Sequence, residues 1–152
     1  MKLSRTVGYA VQATLQLAKS DPTTPVPCSK LAEAGKMPER FLLQILRNLV
    51  THGILKSTRG VDGGYSLVRS ADDISLLEVI EAIEGPFDGG ATTGEGLAED
   101  SSRLLKQALS DVTEITRKQL EGIKLAHLLP GPAEEGESTS NPSSNPSEGN
   151  IG

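Results

Sequence analysis

The sequence predicts a mostly α-helical protein with one short β-hairpin, and three observations carry that reading. Aromatic residues are scarce among the 152, with two Tyr, two Phe and no Trp, so a core must be built from Leu, Ile, Val and Ala. Such a core suits helices packed on helices. Apolar residues recur at three-to-four spacing through most of the chain, the period of an amphipathic helix. Two short alternating runs, at 54–59 and 65–69, flank a Gly-rich turn and read as a hairpin.

The elements follow in order. Residues 3–19 form the first helix, with Val7, Ala10, Val11, Thr14, Leu15 and Ala18 on one face. Asp21-Pro22 ends it, because a residue before Pro avoids the α region. Residues 21–28 carry three prolines and form a linker. Ser29 is placed to cap a short second helix at 30–35 that Gly35 closes. Pro38 opens a third helix, where its missing N–H costs nothing, and this helix runs to about 52 and stops at Gly53.

On the third helix Phe41, Leu42, Ile45, Leu46 and Leu49 gather on one side. The opposite stripe carries Arg40, Leu43, Gln44, Arg47 and Thr51. Two arginines and an amide on one stripe suit the reading of base edges in a major groove. An ordinary amphipathic helix with a solvated face has the same pattern. A fourth helix at 74–84 has Ser75 as its N-cap and Glu78 as the capping-box partner, and Gly85-Pro86 stops it.

Residues 87–98, rich in Gly and Thr, form a loop. Residues 99–129 read as the longest helix, ~45 Å at 1.5 Å per residue. Leu104, Leu105, Ala108, Leu109, Val112, Ile115, Leu120, Ile123, Leu125 and Leu128 are its apolar set. A seventy-residue head cannot cover so long a stripe, so a partner chain is its natural cover. Residues 130–152, with four Pro, four Gly and five Ser, read as a disordered tail. The expected organisation is therefore a head at 1–86, a loop at 87–98, a dimerisation helix at 99–129 and a tail at 130–152.

Composition narrows the function. One Cys excludes an internal disulfide framework, a thiolate zinc site and a cluster held by cysteines of one chain. Two His, at 52 and 127, leave little for metal binding or acid–base chemistry, and no Ser/His/Asp or Cys/His constellation has enough members for an enzyme. No cofactor and no metal are expected. No apolar run approaches the ~20 residues of a membrane span, and no apolar segment of a signal peptide follows the N-terminus. A soluble cytoplasmic protein is the expectation. The net charge of −5 hides a split. Residues 1–70 hold ten Lys/Arg and four Asp/Glu, a net of +6; residues 71–152 hold five and sixteen, a net of −11. A basic front half suits a polyanionic partner.

The order helix, helix, helix, hairpin, helix is that of a winged helix-turn-helix. In that arrangement the second helix braces the third, and the third enters the major groove, ~12 Å wide. The hairpin wing reaches the backbone or minor groove, and Arg59 leads into its turn. A dinucleotide loop is a poor alternative for Gly60, Gly63 and Gly64, because it requires a strand before and a helix after.

Three segments resemble one family. They are Ser4 through Val11, Pro38 through Leu46, and the wing from Gly53 to Gly60 and from Gly63 to Leu67. They look like the opening helix, recognition helix and wing of the Rrf-two family of bacterial winged-helix transcription regulators. The resemblance covers about residues 1–129, and the Arg-Gly-x-x-Gly-Gly-Tyr wing is its most specific part. It implies a homodimer joined through the long helix on a pseudo-palindromic operator of double-stranded DNA, with Arg40, Gln44 and Arg59 at DNA-contacting positions. Leu43 and Arg47 complete the candidate DNA-binding set.

Two departures qualify the resemblance. Cluster-sensing members carry three Cys in the loop before the long helix, and here residues 87–100 contain none. Many relatives also have Glu where this chain has Leu43. A carboxylate accepts from cytosine N4, whereas Leu only touches a thymine methyl, so a different operator is expected. Cys28 lies in the linker and reads either as a small linker residue or as a redox thiol activated by Lys30 and the helix N-terminus at Ser29. A winged-helix protein–protein module without DNA binding is the rival function. The effector and the target genes are not legible.

Overall fold

The computed structural model describes residues 2–88 and 95–130. The expected loop at 87–98 lies partly outside these residues, and the expected tail at 130–152 almost wholly so.

Three helices build the centre of the head: α1 (Arg5–Lys19), α2 (Cys28–Gly35) and α3 (Glu39–Thr51). Ser4 caps α1, its hydroxyl accepting from the Val7 N–H at 3.2 Å. Val7, Ala10, Ala13, Thr14 and Leu17 form the buried face of α1, and the one hydroxyl among them donates to the Val11 carbonyl at 2.8 Å. Leu42, Ile45, Leu46 and Leu49 of α3 pack into the same core beside Leu31 of α2.

Two expectations about these helices change. Cys28 is the first residue of α2 and Pro27 its N-cap, so Ser29 is not the cap. Gly35 is the last helical residue, and it is Lys36 that adopts the left-handed conformation, with φ 52°. A Cβ on Gly35 would lie 2.5 Å from Met37 Cε and under 3 Å from the Gln12 and Gln16 amides of α1. A Cβ there would displace the ends of these three flexible side chains, and the turn itself falls to the neighbour Lys36. The Met37 N–H donates to the Ala32 carbonyl at 2.9 Å and its side chain is buried, which completes the cap.

Gly53, with φ 72°, ends α3 as expected, and the Ile54 N–H donates to Leu49 O at 3.0 Å. The chain then forms β1 (Leu55–Thr58) and β2 (Gly64–Leu67), antiparallel, with Leu55 opposite Leu67 and Lys56 opposite Ser66. The presumed linker contributes a third edge, since Val26 and Tyr65 exchange two backbone hydrogen bonds of 2.9 Å.

The helix α4 (Leu76–Glu84) has the expected capping box: Ser75 Oγ accepts from the Glu78 N–H at 3.1 Å and Glu78 Oε2 accepts from the Ser75 N–H at 2.8 Å. Arg69 donates to the other oxygen of Glu78. Burial pushes the Glu78 carboxyl up, but the bonds from Arg69 and from the Ser75 N–H outweigh it and hold it below the usual value. A depressed carboxyl stabilises the fold above the unfolded-chain pKa, and that contribution disappears as pH falls through the lower folded value. Glu78→Gln is therefore expected to lower the melting temperature at pH 7, with a smaller deficit near pH 3, below the ordinary glutamate pKa of about 4.3. Thermal scans at the two pH values measure this, and an equal deficit at both would contradict the assignment.

The helix α5 (Glu99–Gly122) has 24 residues, about 36 Å, and does not continue to 129. After Gly122 the backbone becomes extended and pairs with the start of α4. The Leu76 N–H donates to Ile123 O at 2.8 Å, and the Leu125 N–H to Ile74 O at 2.9 Å. A short 3₁₀ turn, Leu125–Leu128, follows. Leu125 is fully buried in the main core, worth ~1.5–3 kcal/mol, more than another helical turn in solvent would supply. Among the described residues α5 is anchored at its C-terminal end: Leu120 packs with Val7, Leu77 and Ile80, and Arg117 donates to Glu81 and to Phe87 O. No helix among the described residues is long and apolar enough to cross a membrane.

Candidate nucleic-acid interface

The exposed side of α3 and the tip of the wing make the candidate site. Arg40, Gln44 and Arg47 of α3 are exposed on one stripe, with Thr51 continuing it. Leu43 is half-buried, because it lies about 60° round the helix from Arg40, at the edge of the stripe. Gln44 Nε2 donates to Asn48 Oδ1 at 3.3 Å, so two amides stand together one helical turn apart. Asn48 was not singled out from the sequence, although its i,i+4 spacing from Gln44 was a legible signal.

Phe41 departs from expectation. It is 44% exposed and sits about 80° round α3 from the buried Leu49, at the rim of the apolar face. Its ring packs edge-to-face on Tyr9 of α1, with centroids 5.8 Å apart.

Arg59 follows β1 directly and is exposed. The turn behind it depends on glycine for steric reasons. A Cβ on Gly63 would lie 2.2 Å from Thr58 O, and one on Gly64 2.3 Å from the Val26 backbone carbon. The wing can therefore cross close over its own strand and over the 24–27 segment only with glycine at both positions. Among the described residues, none of Arg40, Arg47 and Arg59 has an ion-pair partner, so their guanidinium groups are available to an external anion.

Cys28 does not have the environment of an activated thiol. Burial pushes its pKa up and the nearby Glu39 carboxylate pushes it further, the reverse of what the redox-thiol reading requires, which leaves the plain linker-residue alternative. Its Sγ donates to Glu39 O at 3.8 Å. The two histidines serve helix ends: His52 Nδ1 lies 2.8 Å from Asn48 O, and His127 Nδ1 accepts from the Lys124 N–H at 3.1 Å. Among the described residues no group of three His, Cys, Asp or Glu could hold a metal ion.

A braced third helix with an unpaired basic stripe, followed by a two-stranded wing tipped with Arg, defines a winged helix-turn-helix transcriptional regulator. The chain belongs to the Rrf2 family, whose profile, described as an iron-dependent transcriptional regulator, matches residues 3–131. It is similar to an HTH-type transcriptional regulator of Mycobacterium tuberculosis, 36% identical over 123 residues, covering 81% of this chain and 75% of the relative. The HTH-type transcriptional regulator IscR of Klebsiella pneumoniae is 32% identical over 130 residues, covering 85% and 80%. Among solved structures, CymR, the global cysteine regulator of B. subtilis, superposes with a TM-score of 0.67 at 25% identity, covering 84% of this chain and 95% of that one. IscR of T. potens superposes with a TM-score of 0.65 at 28% identity, covering 84% and 85%. The protein is thus a regulator and not an enzyme.

The family description implies iron. A cluster held by thiolates requires several Cys. This chain has one, at the start of α2, and the stretch 87–100 before and into α5 has none. The residues present do not fit such a group.

Proposed function

We propose that this protein is a sequence-specific DNA-binding repressor that acts as a homodimer on a pseudo-palindromic operator and does not sense through an iron–sulfur cluster. The observation that carries the reading is the exposed stripe of Arg40, Gln44 and Arg47 on α3, joined by Arg59 on the wing, with no ion-pair partner for the three arginines among the described residues. Arg40 and Arg47 flank Gln44, which can bond an adenine edge, while Leu43 borders the stripe where a thymine methyl would lie. Repression needs only that the bound dimer occupy the operator.

The dimer reading is supported by α5. Leu105, Ala108, Val112 and Ile115 follow a 3-4-3 spacing, and all four are exposed, Val112 at 58% and Ile115 at 63%. That spacing suits a seam between two helices packed side by side. A two-fold dimer would present two copies of α3 to half-sites about one helical turn of DNA, ~34 Å, or a multiple of it apart.

The test is a titration of a duplex from the protein's own upstream region at two salt concentrations. Saturable binding that weakens steeply with salt is expected, because the arginines displace phosphate counterions. No saturable binding at low salt would favour a protein–protein module. A second expectation concerns iron. Anaerobic reconstitution with iron and sulfide should leave no visible absorbance band and no stoichiometric iron. One cluster per dimer would show that ligands other than a Cys triad are in use.

A further inference from the structure

A cavity of about 620 Å³ opens at the root of the wing, between the C-terminal end of α1, the two strands and the turn that follows α5. Its size is that of a small-molecule site. Leu17, Ala18, Ala126 and Leu129 supply an apolar wall and Lys56 a cationic one, and Ser66 lines the cavity with its Oγ buried out of contact with solvent.

Four charged side chains line this cavity. Arg69 is ion-paired, donating to Glu78 and also to the Asp73 carbonyl. Asp21 and Asp72 accept hydrogen bonds from neutral groups, Asp21 from the Thr23 N–H and hydroxyl and Asp72 from the Ser70 hydroxyl. Lys56 is in no ion pair among the described residues. Directly opposite it across the wing stands Ser66, so the two side chains share one face of the hairpin. Ser66 is 96% buried, and no described residue offers its Oγ a hydrogen-bond partner. A buried hydroxyl in a native fold ordinarily has a partner.

We propose that this cavity binds a small carboxylate with a compact apolar body. The carboxylate pairs with Lys56 Nζ and accepts from Ser66 Oγ, which reorients about a single side-chain torsion. The body lies on Leu17, Ala18, Ala126 and Leu129. Because the cavity opens beside the contact between β2 and the C-terminal end of α1, occupancy alters how the wing, and Arg59 at its tip, sits on the head. This last step rests on the DNA-binding reading; the ligand site does not.

Amide spectra of the full chain titrated with 3-phenylpropionate and, separately, with 3-phenylpropanol test the site. The acid should shift amides around residues 17–22 and 65–71 saturably and bind at least ten-fold more tightly than the alcohol. Lys56→Gln should bring the acid down to the level of the alcohol, and Ser66→Ala should weaken the acid several-fold. Ala18→Leu, which fills the cavity with a good helix former, should weaken both probes. Equal binding of acid and alcohol, shifts centred on α5, or a ten-fold preference that survives Lys56→Gln would each overturn the assignment. In a parallel arm, saturating 3-phenylpropionate should change operator affinity several-fold in the wild type and not in Ala18→Leu. An unchanged affinity with the probe bound overturns the coupling alone. Failure to bind any duplex, with the spectral titration intact, refutes the DNA-binding reading and leaves the ligand site standing.

Discussion

Val112→Asp combined with Ile115→Asp is expected to yield a folded monomer that binds its operator about 10²–10⁴-fold more weakly than the wild type. Both residues form the C-terminal half of the exposed α5 seam, and neither belongs to the cluster around Leu120. In a dimer each would be buried, a gain of ~1.5–3 kcal/mol per side chain, and a carboxylate there would be desolvated without a partner. The head should not be affected, because Val112 and Ile115 are outside both core clusters. The loss in DNA affinity follows from effective concentration. Once one head is bound, its tethered partner meets the second half-site at a high local concentration, an advantage of that order. Sedimentation gives the oligomeric state, circular dichroism the helix content and anisotropy the affinity. A dimer that survives both substitutions would place the interface elsewhere. A monomer with wild-type operator affinity would show that one head suffices.

The second large effect divides base reading from backbone contact. Gln44→Ala should weaken operator binding by ~1–3 kcal/mol, the value of a bidentate contact to an adenine edge, and leave binding to a scrambled duplex nearly intact. Loss of the Gln44–Asn48 hydrogen bond on the exposed surface should cost little stability. Arg59→Ala should weaken both duplexes. It should also lower the slope of log affinity against log salt by about one unit for each phosphate neutralised, about two for a dimer. Anisotropy with both duplexes across a salt series measures all of this. If Gln44→Ala weakens the two duplexes equally, α3 is not reading bases. If Arg59→Ala leaves the slope unchanged, the wing does not neutralise a phosphate.

Much of this site follows from short-range pattern. The 3.6-residue period alone separates Arg40, Gln44 and Arg47 from Leu42, Ile45, Leu46 and Leu49, because side chains three and four apart share a face whatever surrounds the helix. The same holds for the capping box at Ser75 and Glu78 and for the turn at Gly53, each complete within six residues. Phe41 shows the limit of the pattern. At the rim of a face, exposure depends on which neighbour arrives, and here it is Tyr9 from another helix.

The sequence by itself determined the element types, the order that defines a winged helix-turn-helix, the basic stripe and the unmatched apolar seam. Each depends on residues within a turn or two of one another. Tertiary structure alone decided four other features. It ended α5 at Gly122, where backbone pairing with Ile74 and Leu76 and the burial of Leu125 outweigh a longer helix. It turned the 24–27 segment into a third edge of the wing through Val26 and Tyr65. It made Gly35 a point of helix contact and left the turn to Lys36. It also buried the Ser66 hydroxyl across the hairpin from Lys56, which has no ion-pair partner among the described residues. The physical reason is common to all four: each outcome is set by a contact between segments far apart in the chain, whose energy no local propensity contains.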